Sequence, residues 1–144
     1  MFIKSLFKSY LCMSNWEDVL APCPMTVVPY VMVRARINMD INDAKDKVMS
    51  VLREHYIPFV LLGDVLVSCR FAIIFEKTTH YTGENTNTAN HAIIHIDPPK
   101  DRVRQAIEFI FNLLREAGFE VAISVDEAVE MYNRVIGAIT CTCR

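Results

Sequence analysis

Glycine is scarce in this chain of 144 residues: there are four, and none belongs to a phosphate-cradling loop. That removes the common nucleotide-binding turns, which need glycine so that backbone N–H groups can close on a phosphate. No Gly-x-Ser-x-Gly elbow and no His-Glu-x-x-His helix is present, which excludes the commonest serine-hydrolase and zinc-protease layouts. Asp40, Asn42, Asp43, Asp46, Glu54 and Glu76 lack the central glycine and terminal glutamate spacing of a calcium loop. Nothing in the pattern selects a pair of carboxylates for glycoside hydrolysis.

Charge of one sign is lacking too. The formal net charge is -2, so any attraction to nucleic acid or to an acidic membrane has to come from a local patch. Cysteine is present but unpaired by count: Cys12, Cys23, Cys69, Cys141 and Cys143 have none of the dense, regular spacing of a secreted disulfide scaffold. The expectation is a cytoplasmic or other intracellular protein with mostly free thiols. Cys141 and Cys143 have no second cysteine pair to complete a four-ligand zinc site. Cys69 reads as buried.

What the chain does have is apolar mass. With 52% apolar and 22% charged residues, it has the composition of one folded domain with a full-sized core. Residues 1–24 read as an extension and linker, and residues 25–144 as a single domain. In MFIKSLFKSYLC, Phe2, Ile3, Leu6, Phe7, Tyr10 and Leu11 share one helical face opposite Lys4, Ser5, Lys8 and Ser9. The segment is too short to span a bilayer and has no cleavage signal, so no stable membrane insertion is expected. Its expected place is against the domain or a second subunit. Ser14 and Glu17 have capping-box spacing, and Ala21-Pro-Cys-Pro24 reads as the linker.

The rest alternates between periods of two and of about 3.6. Thr26 to Met39 predicts a long strand with Val31, Val33, Ala35 and Ile37 on one side and Tyr30, Met32, Arg34 and Arg36 on the other. Asp40 to Tyr56 predicts a helix with Ile41, Ala44, Val48, Val51, Leu52 and Tyr56 inward. Ile57 to Leu62 and Val65 to Lys77 predict two strands joined at Gly63-Asp64. In the second, the expectation places Val65, Val67, Cys69, Phe71, Ile73 and Phe75 inward, with Leu66, Ser68, Arg70, Ile74 and Glu76 outward. Thr78 to Asn90 reads as a polar loop, and His91 to Asp97 as a strand. A helix is expected to follow Pro98-Pro99 and to stop at Gly118, with Asp97 as its cap. Phe119 to Val125 predicts a last strand, and Asp126 the cap of a final helix to about Ile139.

This order predicts an α+β fold: an antiparallel sheet of four to five strands with helices packed on one face. From Thr26 to Val125 it resembles the ferredoxin-like βαββαβ arrangement, with an added hairpin strand and extra N- and C-terminal helices. The resemblance is topological and implies no particular activity.

If each strand buries its more apolar side, the open face gathers Tyr30, Arg34, Arg36, Ser68, Arg70, His91 and His95, with Glu120 and Ser124. Three functions compete for it. The favoured one is a non-enzymatic interaction protein that self-associates through this face or an edge strand, because Met32, Leu66, Ile74 and Ile93 interrupt the polar surface as an interface requires. A different protein partner would use the same features. The alternative is a module for single-stranded nucleic acid, with Arg34, Arg36 and Arg70 on phosphates and Tyr30 stacking on a base. The third is a metal-dependent nuclease or nickase. Paired histidines on a strand and a tyrosine on a later helix resemble rolling-circle replication endonucleases, which implies His91 and His95 as metal ligands and Tyr132 as nucleophile. A divalent metal is the one cofactor such a reading requires; the other two need none. Three residues separate these histidines instead of one, about 13 Å along a strand at ~3.3 Å per residue, and no lysine follows Tyr132 closely. Asp97 reads as a cap before a ligand, Arg34 and Arg36 as cross-strand partners of Glu76 or Glu120, and His55 and His80 as unpartnered.

Overall fold

The computed structural model describes residues 30–82 and 85–138, without the side chains of 79–88 and 138. The N-terminal segment, Val27, and the cysteines at 12, 23, 141 and 143 lie outside the described residues.

Strand β1 (Val31–Ile37) buries every second side chain, Val31, Val33, Ala35 and Ile37, and exposes Met32, Arg34 and Arg36. The sequence alternation has become a two-sided strand. Asp40 then caps α1 (Ile41–Glu54), its carboxylate accepting from the Asn42 N–H at 3.1 Å. Ala44, Val48, Val51 and Leu52 fill the inner stripe as expected. Tyr56 does not: the helix ends before it, and Tyr56 takes φ 57°, outside the helix and 94% exposed. The Ile57 N–H reaches back to the Leu52 carbonyl at 2.9 Å, the six-to-one bond that closes a helix around a left-handed residue.

Strands β2 (Phe59–Leu62) and β3 (Val65–Ser68) form a hairpin with Leu62 opposite Val65. Gly63, at φ 60°, supplies the positive φ that its two-residue turn requires. The strand expected from Val65 to Lys77 is broken at Cys69-Arg70. A second tight reversal there starts β4 (Phe71–Thr82), so Leu66 pairs with Ile73 and Val67 with Ala72. A reversal pairs odd with even positions, and this corrects the predicted facing. Leu66 and Ser68 turn inward with Phe71, Ile73 and Phe75, while Val65 and Val67 join the opposite side; Cys69 is exposed in the turn.

The expected polar loop is also a strand pair. β4 runs on to Thr82 and β5 (Asn85–Ile96) returns, paired from Phe71↔Ile96 to Thr82↔Asn85. A backbone ladder satisfies its own N–H and C=O groups without apolar side chains, and threonine suits extended backbone.

Helix α2 (Val103–Glu116) begins later than predicted, with Arg102 and not Asp97 at its N-cap. Asp97 is instead buried, close to Arg70. Ile107, Ile110, Phe111, Leu113 and Leu114 are the buried residues of α2, and Gly118 ends it at φ 89°. β6 (Phe119–Val121) ends before the expected Val125, which leaves Ser124 outside the strand, where it caps α3 (Val125–Ala138) in place of Asp126. The Ser124 hydroxyl accepts from the Glu127 N–H at 3.1 Å and donates to the Glu127 carboxylate at 3.3 Å, a capping box. Asp126 bonds Arg104 instead.

The six strands lie in the order β2-β3-β4-β5-β1-β6, with antiparallel neighbours throughout, one strand more than the most expected. Their inward side chains and those of the three described helices form one core, including Val31, Ile73, Ile94, Ile96, Leu52, Ile107, Phe111 and Tyr132. Among the described residues the helices thus pack on one face of the sheet and none on the other, the open face of the expectation. No helix among the described residues is long and apolar enough to cross a membrane.

Phe111 lies at the centre of this core with no exposed surface. Phe111→Ala is expected to cost about 3–5 kcal/mol, against about 1 kcal/mol for Ser124→Ala, in urea unfolding followed by circular dichroism.

Candidate functional site

Side chains directly opposite one another across paired strands share a face, so the registers map the open side row by row. The first row is Met32, His95, Ala72, Val67 and Val60. The second is Arg34, Ile93, Ile74, Val65 and Leu62. The third is Glu120, Arg36, His91 and Glu76.

These rows differ in character. The first is apolar from β4 across to β2 and the second from β5 across to β2; Met32, Val60 and Leu62 are 47%, 55% and 46% exposed, whereas Val67 and Ala72 are buried. The third sets two basic side chains, Arg36 and His91, between the carboxylates of Glu120 and Glu76. Its His91 Nε2 lies 3.0 Å from the Glu76 carboxylate, and the Asn38 amide donates to Glu120 at 3.0 Å. Arg36 lies between Glu120 and His91, yet neither Arg34 nor Arg36 forms an ion pair among the described residues. A shallow depression of about 330 Å³ runs along Arg34, Arg36, His91 and Glu120.

At the end of the first row the Tyr30 ring stacks on His95, centroids 5.1 Å apart and planes 23° from parallel. Burial lowers the His95 pKa from its ordinary 6.5, because a charged imidazolium loses water there. Arg70 is not on this face with Arg34 and Arg36. It sits in the β3–β4 turn, where its carbonyl accepts from the Asp97 N–H at 2.8 Å and its guanidinium lies 3.8 Å from the Asp97 carboxylate. Burial raises the Asp97 pKa from 3.8, an effect that Arg70 opposes.

The nuclease trio is spread across the sheet. His91 and His95 share the open face but fall in the third and first rows, with Ile93 between them. Tyr132 is 4% exposed in the core on the helix side, and its pKa is raised by burial and then by the Asp97 carboxylate. Among the described residues no three His, Cys, Asp or Glu side chains gather as a metal site. His55 has a partner after all, its Nε2 lying 3.0 Å from the Glu116 carboxylate; the His80 side chain lies outside the described residues.

Sequence reasoning missed Val60, Leu62, Val65, Val67 and Ala72. The signal was present in FVLLGDVLV, where both strands of a hairpin are apolar at successive positions. A strand apolar on both sides is one covered on both sides.

The two shifted groups make opposite contributions to stability. His95 holds a proton less tightly when folded, so its contribution is present above pH 6.5 and is lost as pH falls through the lower folded value. Asp97 holds one more tightly, so its contribution is present below pH 3.8 and is lost as pH rises through the folded value. In urea unfolding across pH, His95→Gln is expected to flatten the loss on mild acidification. Asp97→Asn is expected to exceed the parent at neutral pH and to match it below pH 3.8. No family model matches the chain, and neither the curated proteins nor the solved structures contain a significant match to it.

Proposed function

We propose that this chain is a non-enzymatic interaction protein that self-associates through the open face of its sheet. One observation carries the reading: Ile93, Ile74, Val65 and Leu62 form one apolar row, with Ala72, Val67 and Val60 beside it, on the side that no helix of the described residues covers. Met32, Val60 and Leu62 of this face are exposed, whereas Val67 and Ala72 between them are buried; exposed apolar side chains grouped on a sheet face favour a protein partner. The sheet edges are poorer candidates, since β2 has four residues and β6 three, and so short a strand offers few backbone hydrogen bonds.

The strand order β4-β5-β1-β6, read without the β2–β3 hairpin, supports a ferredoxin-like βαββαβ core, whose open sheet side lends itself to this use. The exposed thiol of Cys69 fits a reducing, intracellular setting. A platform for single-stranded nucleic acid is the second reading, favoured by exposed Tyr30, Arg34 and Arg36 along one strand. Glu76 and Glu120 in the same row as Arg36 weigh against it, because carboxylates repel the phosphates that an arginine would bind.

Sedimentation velocity across micromolar to millimolar concentrations tests the proposal. The parent chain is expected to form dimers, and Ile93→Asp to lose them by more than about thirtyfold in affinity, near 2 kcal/mol, since it places a carboxylate in the apolar rows. A parent that stays monomeric throughout would remove this reading. Salt-sensitive binding of a labelled oligonucleotide, lost in Arg34→Ala/Arg36→Ala, would put the second in its place.

A further inference from the structure

The open face is not symmetric, and its asymmetry selects how two copies fit. We infer that the second copy packs face to face about a two-fold axis that runs along the strands midway between β4 and β5, so that each β5 lies over the other copy's β4 and each β1 over its β3. This rests on the self-association proposed above and adds its geometry.

Two in-plane axes keep the strands of the two sheets aligned, and the rows separate them. An axis across the strands, through the Ile93 and Ile74 row, would lay each strand over its own equivalent. Arg34 would then face Arg34, and Glu76 of one copy would press on Ala72 of the other. That buries like charges together and a carboxylate on an alanine, both costly out of water.

An axis along the strands keeps each row over itself and exchanges the strands. His91 then meets Glu76 of the second copy, extending the 3.0 Å pair within each chain into a ring of alternating imidazole and carboxylate. Ile93 covers Ile74, and Met32 covers Val67. The Tyr30–His95 stack stands over Ala72, the smallest side chain of the first row. The bulkiest group of the row thus falls over its smallest, twice, as two-fold symmetry requires. Facing sheets cross at about 30°, so the side chains interleave near these positions and are not stacked head on.

Arg34 over Val65 is the contact that tests the axis. Within one chain the two lie on β1 and β3, three strand spacings or about 14 Å apart, so they do not interact directly. In the full chain, Val65→Lys sets an ammonium against Arg34 of the second copy and is expected to weaken self-association by at least about tenfold. Labelled Val65→Lys and labelled parent are then each titrated with unlabelled Arg34→Glu and with unlabelled parent. The expected result is a preference of at least about tenfold for Arg34→Glu that labelled Val65→Lys shows and labelled parent does not, because only the axis along the strands sets the introduced carboxylate of one copy against the introduced ammonium of the other.

No preference for Arg34→Glu, or the same preference in labelled parent as in labelled Val65→Lys, would overturn the axis while leaving the face in use, provided the parent dimerises and Ile93→Asp does not. A monomeric parent would instead remove the proposed function itself. Near-ultraviolet circular dichroism checks that Val65→Lys is folded. Should it not be, a photocrosslinker at exposed position 34 decides the matter, expected to join the β3 peptide of an isotopically distinct copy. Crosslinks to β1 alone would overturn the axis.

Discussion

Strand β1 lies between β5 and β6, and its antiparallel pairing with β5 holds Val31 opposite Ile96, Val33 opposite Ile94 and Ala35 opposite Ala92. Because side chains alternate with a period of two, this register decides at once which residues meet the helices and which meet the other side. A slip of one residue would drive Arg34 and Arg36 into the core and expel Val33 and Ala35. The penalty for burying two unpaired guanidiniums is far larger than anything the rest of the sheet could return, so the pairing is fixed and every other strand takes its facing from it.

Where a segment had one clear period, the sequence was enough. The alternation from Val31 to Ile37 and the inner stripe of α1 are in the structure as the pattern predicts. Two reversals were harder to read. Gly63-Asp64 carries the turn chemistry that a hairpin usually shows, whereas Cys69-Arg70 has neither glycine, proline nor asparagine to mark it. Missing that turn kept Val65 to Lys77 as one strand and exchanged the faces of Leu66, Val67 and Ser68. The polar run from Thr78 was misread for a related reason: hydrophobicity reports what a strand packs against, whereas the ladder here is a matter of backbone pairing.

The site was legible only in part. Tyr30, Arg34, Arg36, His91 and His95 could be grouped from parity, since they belong to strands whose facing was right. Arg70 left the group because the reversal placed it in a turn, and Asp97 because its burial beside that turn outweighed the local capping pattern before Pro98-Pro99. Met32, Ile74 and Ile93 were legible from parity too, whereas the apolar side chains of β2 and β3 could be assigned only after the pairing partners were known. Tertiary register therefore decided Val60, Leu62, Val65 and Val67.

The β4–β5 pair reaches beyond the sheet that holds it. β1 meets β5 as far as Asn90, and β3 meets β4 no further than Ile74. The five pairs from Thr78↔Ala89 to Thr82↔Asn85 consequently have no third strand beside them among the described residues. A two-stranded ribbon gains little cooperativity from the core, so its amides belong to a separate unit of local opening. Hydrogen exchange would divide β5 within a single strand, with protection in His91 to Ile96 tied to global unfolding and protection beyond Ala89 tied only to the ribbon. One strand would thus carry two stabilities, and a load applied to the ribbon would be dissipated there before it reached the register on which the fold depends.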